Sequence, residues 1–342
     1  MKAINGELAL IERIRSGWGQ TPGARPSSRH VALGIGDDCA ILRPPRGHEV
    51  LVTTDFTLEG RHFRRDWHPP ESVGHRALAR GLSDLAAMGA CPLAAFLSLA
   101  LPAEMLATRT GRTWVQRFFT GFRTLAVQHN TSLAGGDTAE SPANLILADI
   151  VLVGSAPAGR AIRRSTAHAG DALYVTGALG GSAAELAALE RRNGTGWPIL
   201  RGPIAKGGFP QLYPQPRIAI GLALLRRRLA TAAIDLSDGL STDLAHLCRE
   251  SGVGAQINAA ALPIHPLAAQ SPNPLDLALH GGEDYGLLFA APPTAKIPRS
   301  IAGVPISRIG QLVPGNAITL LDAAGRVDPL KPGGWEHFTR RH

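Results

Sequence analysis

Ala233-Ile234-Asp235-Leu236-Ser237-Asp238-Gly239-Leu240, running on into Ser241-Thr242-Asp243-Leu244-Ala245-His246, reads as a short apolar strand that ends in two aspartates and turns into an amphipathic helix. Carboxylates at the end of a buried strand are costly unless something binds them. A strand-to-helix turn carrying Ser237 and Gly239 offers hydroxyl, carboxylate and free backbone N–H groups together. Hard divalent cations take oxygen ligands and anions favour helix N-termini, so the turn suits a metal ion and a phosphate. The alternative is a plain capped helix start, with Ser237 or Asp238 as the N-cap.

The same α/β alternation extends outward in both directions. Helical patterns cover 6–18, 71–88, 102–128 (with Gly111 and Gly121 as interruptions), 180–191, 216–229 and 275–280. Strands are expected as a pair within 31–42, over 49–55, 93–101, 145–153, 172–177 and 253–257, and as three β-rich runs before Gly333. Ser132 to Thr138 reads as a strand leading into a glycine-acid turn, and 20–30 and 193–215 read as loops. The fold class expected is mixed α/β in two halves, 1–155 and 156–342, joined near the small and charged residues from Ser155 to Ala169.

Composition narrows the class. At 342 residues and 44% hydrophobic, the chain has material for two packed domains; aromatics at 5% leave aliphatic and Ala packing to fill the core. The net charge of +8 comes almost wholly from scattered Arg, without a finger, helix-turn-helix or aromatic RNA-binding signature, so no nucleic-acid partner is expected. Cys39, Cys91 and Cys248 form no CxxC pair, which argues against a disulfide framework or zinc site and fits a cytoplasmic protein. No targeting segment is visible, and no apolar run has membrane-spanning length.

Six segments share one design, an apolar or Gly-rich run delivering an acid: Gly34-Ile35-Gly36-Asp37-Asp38, Val52-Thr53-Thr54-Asp55, Leu82-Ser83-Asp84, Gly135-Gly136-Asp137-Thr138, Asp235-Leu236-Ser237-Asp238 and Gly281-Gly282-Glu283-Asp284. Gathered together, these acids would repel one another, and several Mg²⁺ ions would offset the repulsion while holding a polyphosphate. Each segment singly is more often a capped turn; taken together, the six favour a metal–phosphate site. No phosphate-binding Gly-x-x-x-x-Gly-Lys sequence, Gly-x-Ser-x-Gly elbow or His-Glu-x-x-His helix is present.

In this order, together with Leu82-Ser83-Asp84-Leu85-Ala86-Ala87-Met88-Gly89 and Gly281-Gly282-Glu283-Asp284-Tyr285, the segments resemble the thiamine-monophosphate kinases of the aminoimidazole ribonucleotide synthetase-like superfamily. The resemblance spans about 6 to 338. It implies a two-domain α/β fold with an N-terminal sheet paired across a homodimer, and ATP in a cleft with its phosphates held through Mg²⁺. By motif position it implies metal-linked Asp38, Thr53, Thr54, Asp55, Asp84, Asp137, Asp235 and Asp238. Gly136, Asp137, Arg164 and Ser237 would contact nucleotide, and His62, Glu283 and Trp335 thiamine monophosphate. Asp84 and Asp235 would hold the ions that bridge donor and acceptor. Gln211-Leu212-Tyr213-Pro214 departs from the His-Leu-Arg-Pro common in the family. The competing expectations are another ATP-using enzyme of the superfamily, or a non-catalytic sensor of nucleotide or thiamine phosphate.

Overall fold

The computed structural model describes residues 7–18, 29–191, 208–336 and 338. Most of the two loops expected over 20–30 and 193–215, and His337, lie outside the described residues. The chain divides into two compact units, one made of residues up to Leu85 with Cys91–Gly159, the other of Ala86–Ala90 with the chain from Arg160 onward.

In the first unit, α1 (Glu7–Gly17) precedes a small antiparallel pair, β1 (Val31–Leu33) and β2 (Ile41–Leu42). The long strand β3 (His48–Leu58) is followed by α2 (Pro70–Ala87), whose last two residues group with the second unit. Next come β4 (Cys91–Leu101), α3 (Glu104–Ala107), α4 (Arg109–Gln128), β5 (Ser132–Glu140) and β6 (Leu147–Pro157). The four long strands form one sheet in the order β3-β6-β4-β5, with β4 and β5 parallel and the other pairs antiparallel. Leu78, Leu82, Phe118, Phe122 and Leu125 of α2 and α4 are fully buried, as are Ala95 and Leu152 of the sheet. Each buried Leu or Phe contributes about 1.5–3 kcal/mol of apolar burial.

Two expectations from the sequence change here. Gly111 and Gly121 do not interrupt a helix. The break falls at Thr108, which is extended and whose hydroxyl accepts the Gly111 N–H at 3.0 Å to cap α4. The glycines serve close packing instead: a Cβ on Gly121 would lie 1.9 Å from the Glu71 carbonyl, and one on Gly74 would lie 1.9 Å from the Phe118 carbonyl. The α2 and α4 backbones therefore touch where these residues cross. The second change concerns Gly135-Gly136-Asp137-Thr138, which lie inside β5 rather than in a turn. The pairing of β4 and β5 slips between Ala95 and Phe96, which creates a bulge, and Gly136 takes φ +149° with no room for a side chain against Leu97. The glycine signal was a bulge signal.

In the second unit, β7 (Ala172–Thr176), α5 (Gly181–Arg191), α6 (Ile218–Arg226), β8 (Ala232–Asp235), α7 (Leu240–Ser251) and β9 (Gly254–Asn258) lead to α8 (Pro274–His280). Five strands close the chain: β10 (Leu287–Ala291), β11 (Ser300–Ile301), β12 (Val304–Val313), β13 (Ile318–Leu321) and β14 (Val327–Pro329). Their sheet runs β14-β13-β9-β12-β7-β10-β8, with β11 beside β12. Every residue of β8 and β10 is buried, matching their continuous apolar runs. Ile234, Leu236, Leu240, Leu244, Leu247, Leu173, Val175 and Leu288 form one core that locks α7 to the sheet.

Replacing Gly121 by Ala forces α2 and α4 apart. The expected cost is about 1–3 kcal/mol or more, read as a lower midpoint in urea unfolding, whereas Gly17→Ala, with nothing within 4 Å, leaves the midpoint unchanged.

Candidate functional site

The expected site residues fall into local groups within each unit. In the first unit, the Gly34–Ala40 segment and the bulged stretch Gly135–Thr138 of β5 line one groove of about 900 Å³, floored by residues of β4. This brings Asp38, Gly136 and Asp137 to one place, with both acids exposed. Asp37, in the loop after β1, and Asp137, in the bulged part of β5, each accept the following residue's backbone N–H at 2.9 Å.

Thr53 and Asp55 alternate along β3 onto the face that meets α2. The Thr53 hydroxyl donates to the Asp84 carboxylate, and one turn earlier Arg80 pairs with Asp55 at 3.1 Å. Asp149 on β6 is pushed above the usual carboxylate range by burial and by the negative charge of Asp55. Thr54 points to the opposite face of β3 and is exposed, like Val52 and Phe56. His62 sits in the loop after β3. Its Nδ1 accepts the Leu58 N–H at 3.0 Å, so the neutral ring carries its proton on Nε2, and its carbonyl accepts from the buried guanidinium of Arg76.

In the second unit the β8–α7 turn is the organising feature. Asp235 ends β8 at 2% exposure. The N-cap of α7 is Gly239, without a side-chain cap, rather than Ser237 or Asp238. Asp243, a residue the sequence reading did not single out, reaches back from the first turn and accepts the N–H groups of Asp238 and Gly239, both at 3.1 Å. Burial and the charges of Asp235 and Asp238 push the Asp243 carboxyl up to about 8.

Around this turn the chain adds two further segments. The stretch 283–286 pairs with 235–238 beyond the formal strands: Leu236 N–H to Gly286 O, Tyr285 N–H to Leu236 O, and Glu283 N–H to Ser237 O at 2.7 Å. Glu283 and Tyr285 adopt φ of +64° and +48°, left-handed geometry that is costly for residues with a Cβ. Trp335 arrives from the C-terminal segment, its N–H donating to the Asp238 carbonyl at 2.9 Å. The hydroxyls of Ser241 and Thr242 hold that segment by accepting from Gly333 and Gly334. Glu283 and Trp335 are thus hung on consecutive carbonyls of the turn. Arg164 is exposed; its carbonyl accepts from Ser251 at the end of α7, and its charge helps depress the His246 imidazole on that helix, though burial is the larger cause.

Asp284, next to Glu283, faces the other way. It accepts the Gly180 and Ser182 N–H groups at 2.6 and 3.1 Å, which satisfies the start of α5, and burial pushes its carboxyl up to about 6. Asp243 and Asp284 stand inside quoted motifs, and a signal for them existed: an acid three or four residues into a helix, or beside a Gly-Gly turn. Asp149 and Arg80 had none, because their roles depend on strand pairing and on a helix lying over β3.

Among the described residues, no group of three or more His, Cys, Asp and Glu side chains forms a ready-made metal cage. Mg²⁺ does not require one, since it keeps several waters and is bound through one or two carboxylates plus substrate phosphates. Burial together with the charges of Asp235 and Asp238 raises Asp243, and carboxylates gathered at one turn are donors whose charge a divalent cation balances, so these residues fit the ion.

Residues 36–156 match the family described as AIR synthase related protein, N-terminal domain, and residues 168–322 match its C-terminal domain. This defines the class: a two-domain protein of the AIR synthase related fold. Thiamine-monophosphate kinase of Escherichia coli (strain K12) is 38% identical over 344 residues, 97% of this chain and 98% of that protein. Among solved structures, thiamine-monophosphate kinase from Stenotrophomonas maltophilia K279a superposes with TM-score 0.76 at 34% identity, covering 92% of this chain and 96% of that one. The structure of AaThiL complexed with AMPPCP and TMP gives TM-score 0.73 at 28% identity, covering 99% and 98%. The chain belongs to the thiamine-monophosphate kinase family.

The Asp284 carboxyl generates a pH prediction. Its folded value of about 6 lies above the ordinary 3.8, so the folded state retains a proton that the unfolded chain releases between those values. Its contribution to stability is full below 3.8 and is lost as pH rises through about 6. Asp284→Asn removes this contribution, and the difference between the wild-type and variant urea midpoints is expected to change across that window and to be flat above pH 7.

Proposed function

We propose that the chain transfers the γ-phosphoryl of Mg²⁺·ATP to the phosphate of thiamine monophosphate, giving ADP and thiamine diphosphate. One observation carries the reading: the β8–α7 turn presents Asp235, Ser237 and Asp238 as oxygen donors and hangs Glu283 and Trp335 on its own carbonyls. A glutamate and a tryptophan whose backbones hang on consecutive carbonyls of one turn suit a cationic heterocycle, the first through its charge and the second through its aromatic face. The relative AaThiL, which was solved with AMPPCP and TMP, supports the same pairing of ligands.

The acceptor phosphate is already ionised, its second pKa being near 6. No side chain must therefore remove a proton, and positioning with charge neutralisation supplies the catalysis. Bound Mg²⁺ would neutralise the phosphate oxygens. Asp38, Thr53, Thr54, Asp55, Asp84, Asp137, Asp235 and Asp238 are the residues assigned to hold it, with Asp84 and Asp235 at the ions shared by donor and acceptor. Gly136, Asp137, Arg164 and Ser237 are assigned to nucleotide, and His62 joins Glu283 and Trp335 at the thiamine phosphate. Residues 1–155 then carry most of the metal and ATP-phosphate contacts together with His62, and 156–342 supply Asp235, Asp238 and the remaining nucleotide and substrate contacts.

The working form is assigned as a homodimer in the cytoplasm. β3 is an edge strand with one paired side, and Val50, Val52 and Phe56 on its outer face are 50–62% exposed, an arrangement that invites pairing with a second copy. The three cysteines are free, and among the described residues no helix is long and apolar enough to cross a membrane.

ADP release that requires both Mg²⁺ and thiamine monophosphate is the expected result with purified protein. Asp235→Ala or Asp84→Ala lowers kcat on the order of 10²-fold or more, and EDTA abolishes turnover reversibly. Absence of acceptor-dependent ADP release overturns the assignment. In sedimentation equilibrium, Val52→Lys with Phe56→Glu shifts the protein from dimer to monomer; an unchanged mass removes the β3 interface.

A further inference from the structure

We infer that Gln211 is a positioning residue for the cationic ring of the substrate, acting through Glu283; this deepens the thiamine-phosphate reading and rests on it.

Gln211 is 1% exposed and is bonded on three sides. Its backbone N–H donates to Glu185 Oε2 at 2.7 Å, its side-chain Oε1 accepts from the Ser182 hydroxyl, and its Nε2 donates to Glu283 Oε2 at 3.1 Å. Chemistry fixes which way the amide faces. An ionised carboxylate only accepts, so the NH₂ end meets Glu283 and the oxygen end meets Ser182. Ser182 is itself well anchored: it is 1% exposed, lies in the first turn of α5 and donates its N–H to Asp284. Glu283 is pinned at its backbone by the Ser237 carbonyl and in left-handed geometry. Its carboxylate is pinned by an amide whose other end is anchored in the core of the unit.

The amide's neutrality matters as much as its position. An Arg or Lys at 211 would also hold Glu283, but it would cancel the charge that attracts a cation. Gln211, being neutral, orients the carboxylate without itself cancelling its charge. The adjacent acids thereby divide the work: Asp284 fastens α5, and Glu283 is held ready by the residue that α5 positions.

The test uses full-length protein with Mg²⁺·ATP. Gln211→Met keeps the size and removes both polar ends, while the backbone bond to Glu185 survives. The expected result is KM for thiamine monophosphate raised about tenfold, with KM for ATP within twofold and kcat within threefold. In a Glu283→Gln background, Gln211→Met adds less than twofold, because the route through Glu283 is already cut. Parallel rises in both KM values, or fully multiplicative effects in the double variant, overturn the inference. Should Gln211→Met fail to fold, Gln211→Glu keeps the shape and the acceptor for Ser182 while setting carboxylate against carboxylate, and the same split in KM is expected. A readout that needs no substrate separates this inference from the reading beneath it. Carboxylate carbon NMR titration of Glu283 moves to higher pKa in Gln211→Met, since a donor to the charged form is lost. An unmoved titration overturns the positioning role even where the kinase assignment holds, and a moved one supports it even where the acceptor proves to be a different cation.

Discussion

Asp235 sets the problem that the second unit solves: a carboxylate at 2% exposure on the last residue of a wholly buried strand. Such a charge is expensive in an apolar core. Its neighbours make matters worse, because Asp238 follows three residues later and Asp243 turns back toward it. Burial first, and then the charges of Asp235 and Asp238, push the Asp243 carboxyl up to about 8. A protein that needed only a capped helix here has a ready solution in Ser237, yet α7 starts at Gly239 with no side-chain cap. The electrostatic cost is retained, which supports the proposed binding of a divalent cation and phosphate at this turn.

Several elements of that unit hold the turn in place. The core of Ile234, Leu236, Leu240 and Leu244 fixes β8 and α7 from behind, and the 283–286 stretch extends the sheet's hydrogen bonding alongside 235–238. Left-handed backbone at Glu283 and Tyr285 is the strain that accompanies this tight pairing. It turns two neighbouring acids to opposite duties, and Gln211 and Ser182 complete the division. In the first unit the same economy appears with different parts. The period-2 alternation of β3 sends Thr53 and Asp55 toward Asp84 and Arg80, while Val52 and Phe56 go to the outer face.

Much of this is legible in the sequence. The strand and helix on either side of Asp235-Leu236-Ser237-Asp238 followed from an apolar run and a helical period, and six acid-bearing segments in fixed order carried the family. Glycines were harder. Gly135-Gly136 read as a turn and proved to be a bulge within β5; Gly111 and Gly121 read as interruptions and proved to lie within α4. A glycine in sequence reports a missing Cβ. Whether the missing atom permits a positive φ, as at Gly136, or admits a neighbouring backbone, as at Gly121, depends on what lies opposite.

The sequence by itself determined the alternation of elements, the acid-tipped strands and the family, because these are written in local period and in residue order. The tertiary structure decided which acids meet. Asp243 closes on the turn, Asp149 feels Asp55, Asp284 holds α5 and Gln211 reaches Glu283 across 72 positions of chain. Hydrogen bonds and charge act over a few ångströms in space, and no local pattern encodes a contact between residues that only folding brings within that distance.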